Sequence, residues 1–210
     1  VGSGQALRLG AAGDVDAVLV HSRAAENAFI EAGHATHRRE IMFNDFVVAG
    51  PSGDPAGIAS AASAAEAFAR IASTKAPFVS RGDDSGTHTR ERAIWQAAGV
   101  SPQGTWYREV GAGMGASLNT AAAMSAYILT DRASFLKFGN RRDLRILYHG
   151  DPALVNQYAF LPVNPERHPH VAADAAMRLE AWLAGPEGQA LIDGYRLDGQ
   201  RLFTANARDE

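Results

Sequence analysis

The chain has 210 residues, of which 46% are hydrophobic and 20% charged, and its formal net charge is −3. This composition is typical of a globular protein of one or two domains, and it excludes intrinsic disorder and a broadly basic surface for nucleic acid. The absence of cysteine excludes disulfides, thiolate metal sites and cysteine nucleophiles. No run approaches 18 apolar residues, so the sequence predicts no membrane span.

Helices and strands are predicted to alternate along the chain. In chain order the pattern predicts a helix at 4–11, a strand at 17–20, a helix at 22–33, a strand at 41–49 broken at 44–45, a turn cluster at 50–57, a helix at about 60–73, a strand at 77–80, a helix at about 86–98, a strand at 106–110, a helix at about 115–124, strands at 127–130, 145–148 and 158–163, and helices at about 169–184 and 186–195. This alternation predicts the α/β class, with largely parallel sheets.

Residues 80–88, Ser-Arg-Gly-Asp-Asp-Ser-Gly-Thr-His, carry the strongest candidate for a binding site. Arg81 follows a short apolar strand, and Ser85, Gly86 and Thr87 open the next helix. The first N–H groups of a helix have no partner inside the helix, and together with the helix dipole they attract anions. Two hydroxyls and the planar donor fork of Arg81 add to them. The segment therefore predicts a site for a tetrahedral oxyanion; the alternative is an ordinary capping serine beside a surface arginine.

Two further glycine-rich helix starts repeat this pattern more weakly. Ser3 and Gly4 begin the first predicted helix, directly after Gly2. Residues 111–117, which include Gly115, form another strand-to-helix turn, without the spacing of a dinucleotide fingerprint. Each of these segments by itself is also compatible with an ordinary capped helix.

Several other motifs are not interpreted as functional sites. Arg81-Gly82-Asp83 spells an adhesion tripeptide but follows a buried strand, so we treat it as a coincidence. Ser85 and His88 could suggest a hydrolase, yet the Gly-x-Ser-x-Gly elbow and an orienting third group are missing. Two histidine pairs lie in polar loops without a carboxylate cluster, so no metal site is predicted; they are His34 with His37 and His168 with His170.

Residues 81–87 resemble the Arg-x-Asp-x-Ser-Gly-Thr anion loop of periplasmic phosphate-binding proteins. Longer strings, spread in order over nearly the whole chain, are similar to the tungstate-binding component of bacterial ABC importers. These strings are residues 2–7, 16–21, 38–48, 50–51, 54–57, 80–88, 113–115, 118–119, 130–132, 150–154 and 163–165.

The resemblance implies a type II periplasmic-binding-protein fold, with two α/β lobes around a ligand cleft. Residues 1–50 plus 158–210 would form lobe I, and residues 51–157 would form lobe II. Members of this family begin with a strand, a Thr/Ser-rich turn and a helix ahead of the Gly-Ser-Gly segment, and these are missing before Val1. Lobe I is therefore expected to be incomplete at its N-terminus, and the missing turn would supply donors to the ligand.

The resemblance also implies a solute-binding protein that captures tungstate for an ABC importer, without catalysis and without a cofactor. Its expected partner is the transporter permease, through which alone it would meet the membrane. We expect a monomer that is periplasmic or otherwise extracytoplasmic and that binds no nucleic acid. Molybdate, phosphate or sulfate are alternative ligands, and an oxyanion-sensing regulatory domain or a serine hydrolase are alternative functions. The expected ligand-binding residues are Ser3, Arg81, Ser85, Gly86 and Thr87, followed by Gly4, Asp83 and Gly115.

Asp83 and Asp84 bear on which oxyanion is preferred. Tungstate and molybdate carry no proton near neutral pH, so a suitable site offers only donors. Phosphate keeps a proton and gains from an acceptor such as a carboxylate. An aspartate that faces the ligand would favour phosphate, whereas an Asp83 that pairs with Arg81 would favour unprotonated dianions. The sequence leaves this choice open.

Overall fold

Eight α-helices and ten β-strands are formed by residues 1–197 and 199–208, the part of the chain that the computed structural model describes. The helices are α1 (Ser3–Ala12), α2 (Arg23–Glu31), α3 (Ala64–Thr74), α4 (Gly86–Ala97), α5 (Met114–Met124), α6 (Arg132–Lys137), α7 (Ala173–Ala184) and α8 (Pro186–Gly194). The strands are β1 (Ala17–Val20), β2 (Arg39–Pro51), β3 (Phe78–Ser80), β4 (Tyr107–Glu109), β5 (Tyr127–Asp131), β6 (Leu144–Tyr148), β7 (Val155–Pro162), β8 (Arg196–Leu197), β9 (Gln200–Arg201) and β10 (Thr204–Ala205).

The chain divides into two compact units. Unit 1 combines Val1–Asn44 with Asn156–Glu210, and unit 2 is the continuous stretch Asp45–Val155. Both divisions fall within strands, the first inside β2 and the second at the start of β7. The first lies six residues before the expected lobe boundary at 50/51, and the second lies two residues before the expected boundary at 157/158.

Unit 1 is held together by pairing between distant parts of the chain. β1 pairs antiparallel with β7, from Ala17 opposite Pro162 to Val20 opposite Ala159. β10 pairs antiparallel with the first half of β2. The helices α1 and α2 cover this sheet with apolar side chains, because burying such surface is the main favourable term in folding. The buried members of this core are Leu7, Val18, Val20, Phe29, Ala35, Ala159 and Leu161.

Unit 2 is built around β3, whose alternating side chains enter two different cores. β3 pairs in parallel with β4 on one side and with β5 on the other. Because successive strand residues point to opposite faces, Phe78 packs with Phe68 and Trp95 on one face. Val79 belongs to the core on the other face, with Leu118 and other apolar residues of α5. The strand is therefore buried on both faces, which fixes where its carboxyl end emerges.

The predicted α/β class is confirmed, but the prediction of largely parallel sheets is wrong. Among the pairings whose register is defined in the described part of the chain, only those of β3 with β4 and with β5 are parallel. β2 runs antiparallel to β5, β6 and β10, and β1 runs antiparallel to β7. The alternation of helices and strands does not reveal these pairs, because β2 and β7 join segments far apart in sequence.

The predicted break of β2 at Asn44 and Asp45 is also wrong. The polar side chains are satisfied by partners, so they do not interrupt the strand. Asn44 Oδ1 accepts a buried hydrogen bond of 2.8 Å from Asn156 Nδ2 within unit 1. The Asp45 carboxylate accepts two bonds from Arg132, of 2.8 Å from Nε and 2.5 Å from Nη2, within unit 2. Such charge-assisted, two-pronged pairing compensates the burial of a polar group.

Two helices begin later than the sequence periodicity indicated, and one helix was not predicted. α3 begins at Ala64 instead of about residue 60, because the side chain of Ser63 caps it by accepting the N–H of Glu66. α7 begins at Ala173 instead of residue 169. The short helix α6, capped by Asp131, was not predicted.

Candidate functional site

Two helices begin side by side at the carboxyl ends of β3 and β4 in unit 2. The parallel register places Ser80 opposite Glu109, so the segments that follow the two strands are neighbours. We call the first of them, residues 81–85, the Arg81 loop. The carbonyl of Arg81 accepts hydrogen bonds from the N–H groups of Gly111, at 2.8 Å, and Ala112, at 3.3 Å. The structure thus brings together two glycine-rich turns that the sequence identified separately.

The start of α4 offers two N–H groups that point to no acceptor. Ser85 is the N-cap, and its Oγ accepts the N–H of His88 at 3.3 Å. Its carbonyl accepts the first helical bond, from Thr89 N at 2.8 Å. Within residues 1–197 and 199–208, no group accepts the N–H of Gly86 or Thr87. Such orphan donors at the positive end of a helix are the usual components of an anion site.

Arg81 and Asp83 form an ion pair inside the loop. Nη2 of Arg81 bonds Oδ2 of Asp83, and each side chain is 19% exposed. Oδ1 of Asp83 accepts the N–H of Ser85 at 3.3 Å. Nε of Arg81 is buried and has no hydrogen-bond partner in the described part of the chain. The guanidinium is therefore oriented on one side and keeps an unused donor on another.

Asp83 is held in its charged form by these contacts. Burial raises the pKa of this carboxyl, but hydrogen bonds from Ser85 and Arg81 and the positive charge of Arg81 outweigh burial, and the net pKa is lowered. The neighbouring Asp84 is 91% exposed at its side chain. The question that the sequence left open is thus answered for Asp83: its carboxylate pairs with Arg81.

The start of α5 adds a second set of donors. Gly113 caps this helix in an extended conformation, and its carbonyl accepts the N–H of Ser117 at 3.1 Å. The N–H groups of Met114, Gly115 and Ala116 find no acceptor among the described residues. A Cβ atom added at Gly113 or Gly115 would meet no atom within 4 Å, so the backbone is open to a ligand here. Sequence analysis identified Gly115 but not Met114 or Ala116, although any helix start exposes such groups.

The predicted donors Ser3 and Gly4 belong to unit 1 and start α1. Gly2 is the N-cap, and its carbonyl accepts the N–H groups of Gln5 and Ala6, both at 3.0 Å. Oγ of Ser3 accepts the backbone N–H of His21 at 3.3 Å. The Gly2 carbonyl bonds define the start of the helix, and the Ser3 hydroxyl connects it to the residue that follows β1. The role of Ser3 and Gly4 toward a ligand stays a prediction.

A polar chain that the sequence did not reveal continues from His21 in unit 1. Nδ1 of His21 lies 3.0 Å from Oδ1 of Asn156, whose Nδ2 bonds the buried Asn44. Asn44 is the last residue of the first segment of unit 1, and Asn156 is the first residue of the second. They are 112 residues apart in sequence, and no local pattern could have paired them.

The geometry gives no support to a Ser85–His88 catalytic pair. Ser85 Oγ contacts the backbone N–H of His88, whereas Nδ1 of the imidazole accepts the N–H of Asp84 at 3.1 Å. The histidines of the pairs considered for metal bind other groups. His168 and His170 contact the carbonyls of Ala11 and Gly13, at 3.1 and 2.9 Å. Across the described residues, no group of three or more His, Asp or Glu side chains could hold a metal ion.

Beneath the loop, α4 carries a fully buried carboxyl, Glu91. Its Oε1 accepts bonds from Trp95 Nε1, at 3.2 Å, and from the hydroxyl of Tyr107, at 2.8 Å. Burial raises the pKa of Glu91 to about 7, and the bonds from Tyr107 and Trp95 only partly oppose this rise. Glu91 is therefore a group of the protein interior that changes charge near neutral pH.

Glu91→Gln is expected to flatten the pH dependence of stability. In the unfolded chain the carboxyl titrates near its ordinary value of 4.5, and in the folded protein near 7. The folded state binds the additional proton between these values, so the contribution of Glu91 is present below pH 4.5 and is lost as the pH rises through 7. The free energy of unfolding of the variant, relative to the parent, should rise by about 2–3 kcal/mol between pH 5 and pH 8. Urea unfolding at both pH values measures this, and a constant difference would contradict it.

Comparison with known proteins places this architecture in a described superfamily. Residues 1–187 match a family model described as a PBP superfamily domain. A putative ABC transporter anion-binding protein of Haloferax volcanii is 49% identical over 100% of the chain, which spans 63% of that protein's length. The tungstate-binding protein TupA of Peptoclostridium acidaminophilum is 40% identical over 99% of the chain and 74% of its own length.

A solved structure matches the fold over nearly the whole chain. It is the tungstate-binding protein TupA from Desulfovibrio alaskensis G20, with a TM-score of 0.91 and 42% identity. The match covers 99% of this chain and 85% of that one. Across the described residues, no helix has the length and apolar character needed to cross a membrane.

Proposed function

Because the chain belongs to the PBP superfamily, and within it to the family that includes the TupA proteins, we propose that it is a solute-binding protein that captures tungstate for an ABC importer. It binds the ion without transforming it. Its relatives are likewise named as anion-binding or tungstate-binding proteins. We place its action outside the cytoplasm, as a monomer whose partner is the transporter permease. Molybdate is the alternative ligand closest in charge and shape.

The observation that carries the proposal is the convergence of donors in unit 2. The Arg81 side chain, with its unused buried Nε, lies on a loop that connects directly to the start of α4. The start of α5 lies beside it, because the Arg81 carbonyl binds the turn before that helix. A dianion placed there would receive a full positive charge, two helix dipoles and several N–H groups. Arg81, Ser85, Gly86, Thr87 and Gly115 are the proposed ligand-binding residues of this unit.

The Arg81–Asp83 pair supports a preference for unprotonated dianions. The Asp83 carboxylate accepts bonds from Arg81 and from the N–H of Ser85, which hold it toward its own loop and support a site that offers the ligand donors rather than an acceptor. Phosphate near neutral pH keeps a proton that needs such an acceptor, whereas tungstate and molybdate do not. We therefore assign Asp83 the role of orienting Arg81 and not that of a direct ligand.

Competition calorimetry tests this function. Tungstate or molybdate should bind with measurable heat, and phosphate and sulfate should bind at least about tenfold more weakly, which corresponds to about 1.4 kcal/mol. Equal affinity for phosphate would contradict the selectivity. Absence of binding for all four ions, in a protein whose folding is confirmed by a thermal melt, would contradict the function itself.

A further inference from the structure

The imidazole of His88 supports the Arg81 loop from inside unit 2. His88 lies in the first turn of α4 and is only 7% exposed. Its Nδ1 accepts the backbone N–H of Asp84 at 3.1 Å. Because a ring nitrogen that accepts a hydrogen bond carries no proton, this contact assigns the proton of the neutral ring to Nε2.

Glu109 faces the opposite side of the ring. Its Oε1 lies 3.7 Å from Nε2 of His88, so the carboxylate attracts the proton that this tautomer carries. The position of Glu109 is fixed by the sheet, since it pairs with Ser80 in the parallel ladder. The backbone of Gly82 passes close to it, since a Cβ atom added at Gly82 would stand 2.8 Å from the Cβ of Glu109. The ring is thus bracketed by the loop on one side and by β4 on the other.

Asp84 has an unusual backbone conformation within the loop. Asp84 adopts a left-handed conformation with φ of 54°, two residues after Gly82 with φ of 60°. Aspartate adopts this conformation more readily than most residues but still at a steric cost, so a contact that holds the Asp84 backbone favours it. The hydrogen bond to His88 is the contact that holds the Asp84 backbone, while the exposed carboxylate of Asp84 lies 3.6 Å from Nδ1 of His88 and 4.0 Å from Nη1 of Arg92.

We propose that His88 is the positioning residue of the anion site: its Nδ1 holds the Asp84 N–H, and thereby sets Arg81, Gly86 and Thr87 in the donor arrangement before the ion arrives. This inference rests on the proposed function. When the loop is already ordered, none of the binding free energy is lost in ordering it. Loss of the Nδ1 acceptor therefore weakens anion binding, although in this proposal His88 does not contact the ion.

A matched pair of substitutions separates positioning from packing. In His88→Asn the amide oxygen can occupy the place of Nδ1 and accept the Asp84 N–H. In His88→Gln the amide reaches the place of Nε2 and leaves that N–H without its acceptor. Calorimetry with tungstate should find His88→Asn within about threefold of the parent, and His88→Gln weaker by about tenfold, the size of one hydrogen bond. Thermal melts without tungstate confirm that both variants are folded.

Two outcomes would overturn the inference, and a third concerns the function alone. Equal affinities of the Asn and Gln variants, whether unchanged or equally reduced, would show that His88 only fills space. Nitrogen chemical shifts of the anion-free parent provide a readout that needs no variant: a proton on Nδ1 instead of Nε2 at neutral pH would also refute it. If the parent binds no tungstate, or if Arg81→Ala binds it as well as the parent does, the proposed function fails instead.

Discussion

Arg81→Ala is expected to lower the affinity for tungstate by about 10²- to 10³-fold. Arg81 supplies the full positive charge of its loop, and its guanidinium is oriented by Asp83 while Nε stays without a partner among the described residues. Without it the dianion would face helix starts that carry only partial charges. Loss of the partner of a buried charge typically costs about 3–5 kcal/mol. Arg81 is partly exposed, so we expect the lower part of this range, about 3–4 kcal/mol, which corresponds to the stated fold-change.

Smaller changes at the same site should follow a fixed order. Arg81→Lys should recover part of the loss, because a point charge replaces a planar fork. Ser85→Ala and Thr87→Ala should each cost about 1.5–3 kcal/mol if their hydroxyls bind the ion. Calorimetry with tungstate gives the order, and thermal melts without ligand separate it from the loss of the Ser85 cap. An Arg81→Ala protein that binds nearly as well as the parent would mean that the loop is an ordinary helix start.

Gly82→Ala should lower the free energy of unfolding by about 2–5 kcal/mol. Gly82 has a φ of 60°, a conformation that costs an alanine about 1–2 kcal/mol. In addition, the new Cβ would stand 2.8 Å from the Cβ of Glu109, an atom close to the backbone that cannot swing away. Such overpacking costs about 1–3 kcal/mol more. Urea unfolding measures the sum.

Gly99→Ala is the matched control for this substitution. Gly99 follows the far end of α4, has a φ of 68°, and would offer a Cβ atom open space. It should therefore lose only the conformational part, about 1–2 kcal/mol. Equal losses in the two variants would show that the contact between Gly82 and Glu109 has no energetic weight.

Local chemistry explains what the sequence could predict about the candidate site. The order strand, arginine, polar turn and capping serine lies within a few residues, so hydrogen-bonding rules alone indicate a helix start with unused donors at 85–87. The left-handed conformation of Gly82 is also local, although sequence analysis did not identify it. These features do not depend on how the rest of the chain packs, which is why Arg81 and Ser85 were identified.

Long-range packing explains what could not be predicted. The sequence left open whether Asp83 faces the ligand or pairs with Arg81, because the direction of a carboxylate depends on its surroundings in the fold. Glu109 reaches His88 through the pairing of β4 with β3, and Glu91 is buried because Tyr107 and Trp95 cover it. The sheet direction was missed for the same reason, since β2 and β7 meet across more than half of the chain.

The split of unit 1 into two chain segments has a consequence for biosynthesis. β1 finds its partner only when β7 has left the ribosome, since Ala17 pairs with Pro162, 145 residues later. At typical rates of translation this delay is about 7–30 s. Unit 2 is encoded without interruption and can assemble in that interval, whereas the apolar strand β1 has to wait without its partner. The early segment of unit 1 therefore stays without its sheet partner until the second segment has been made.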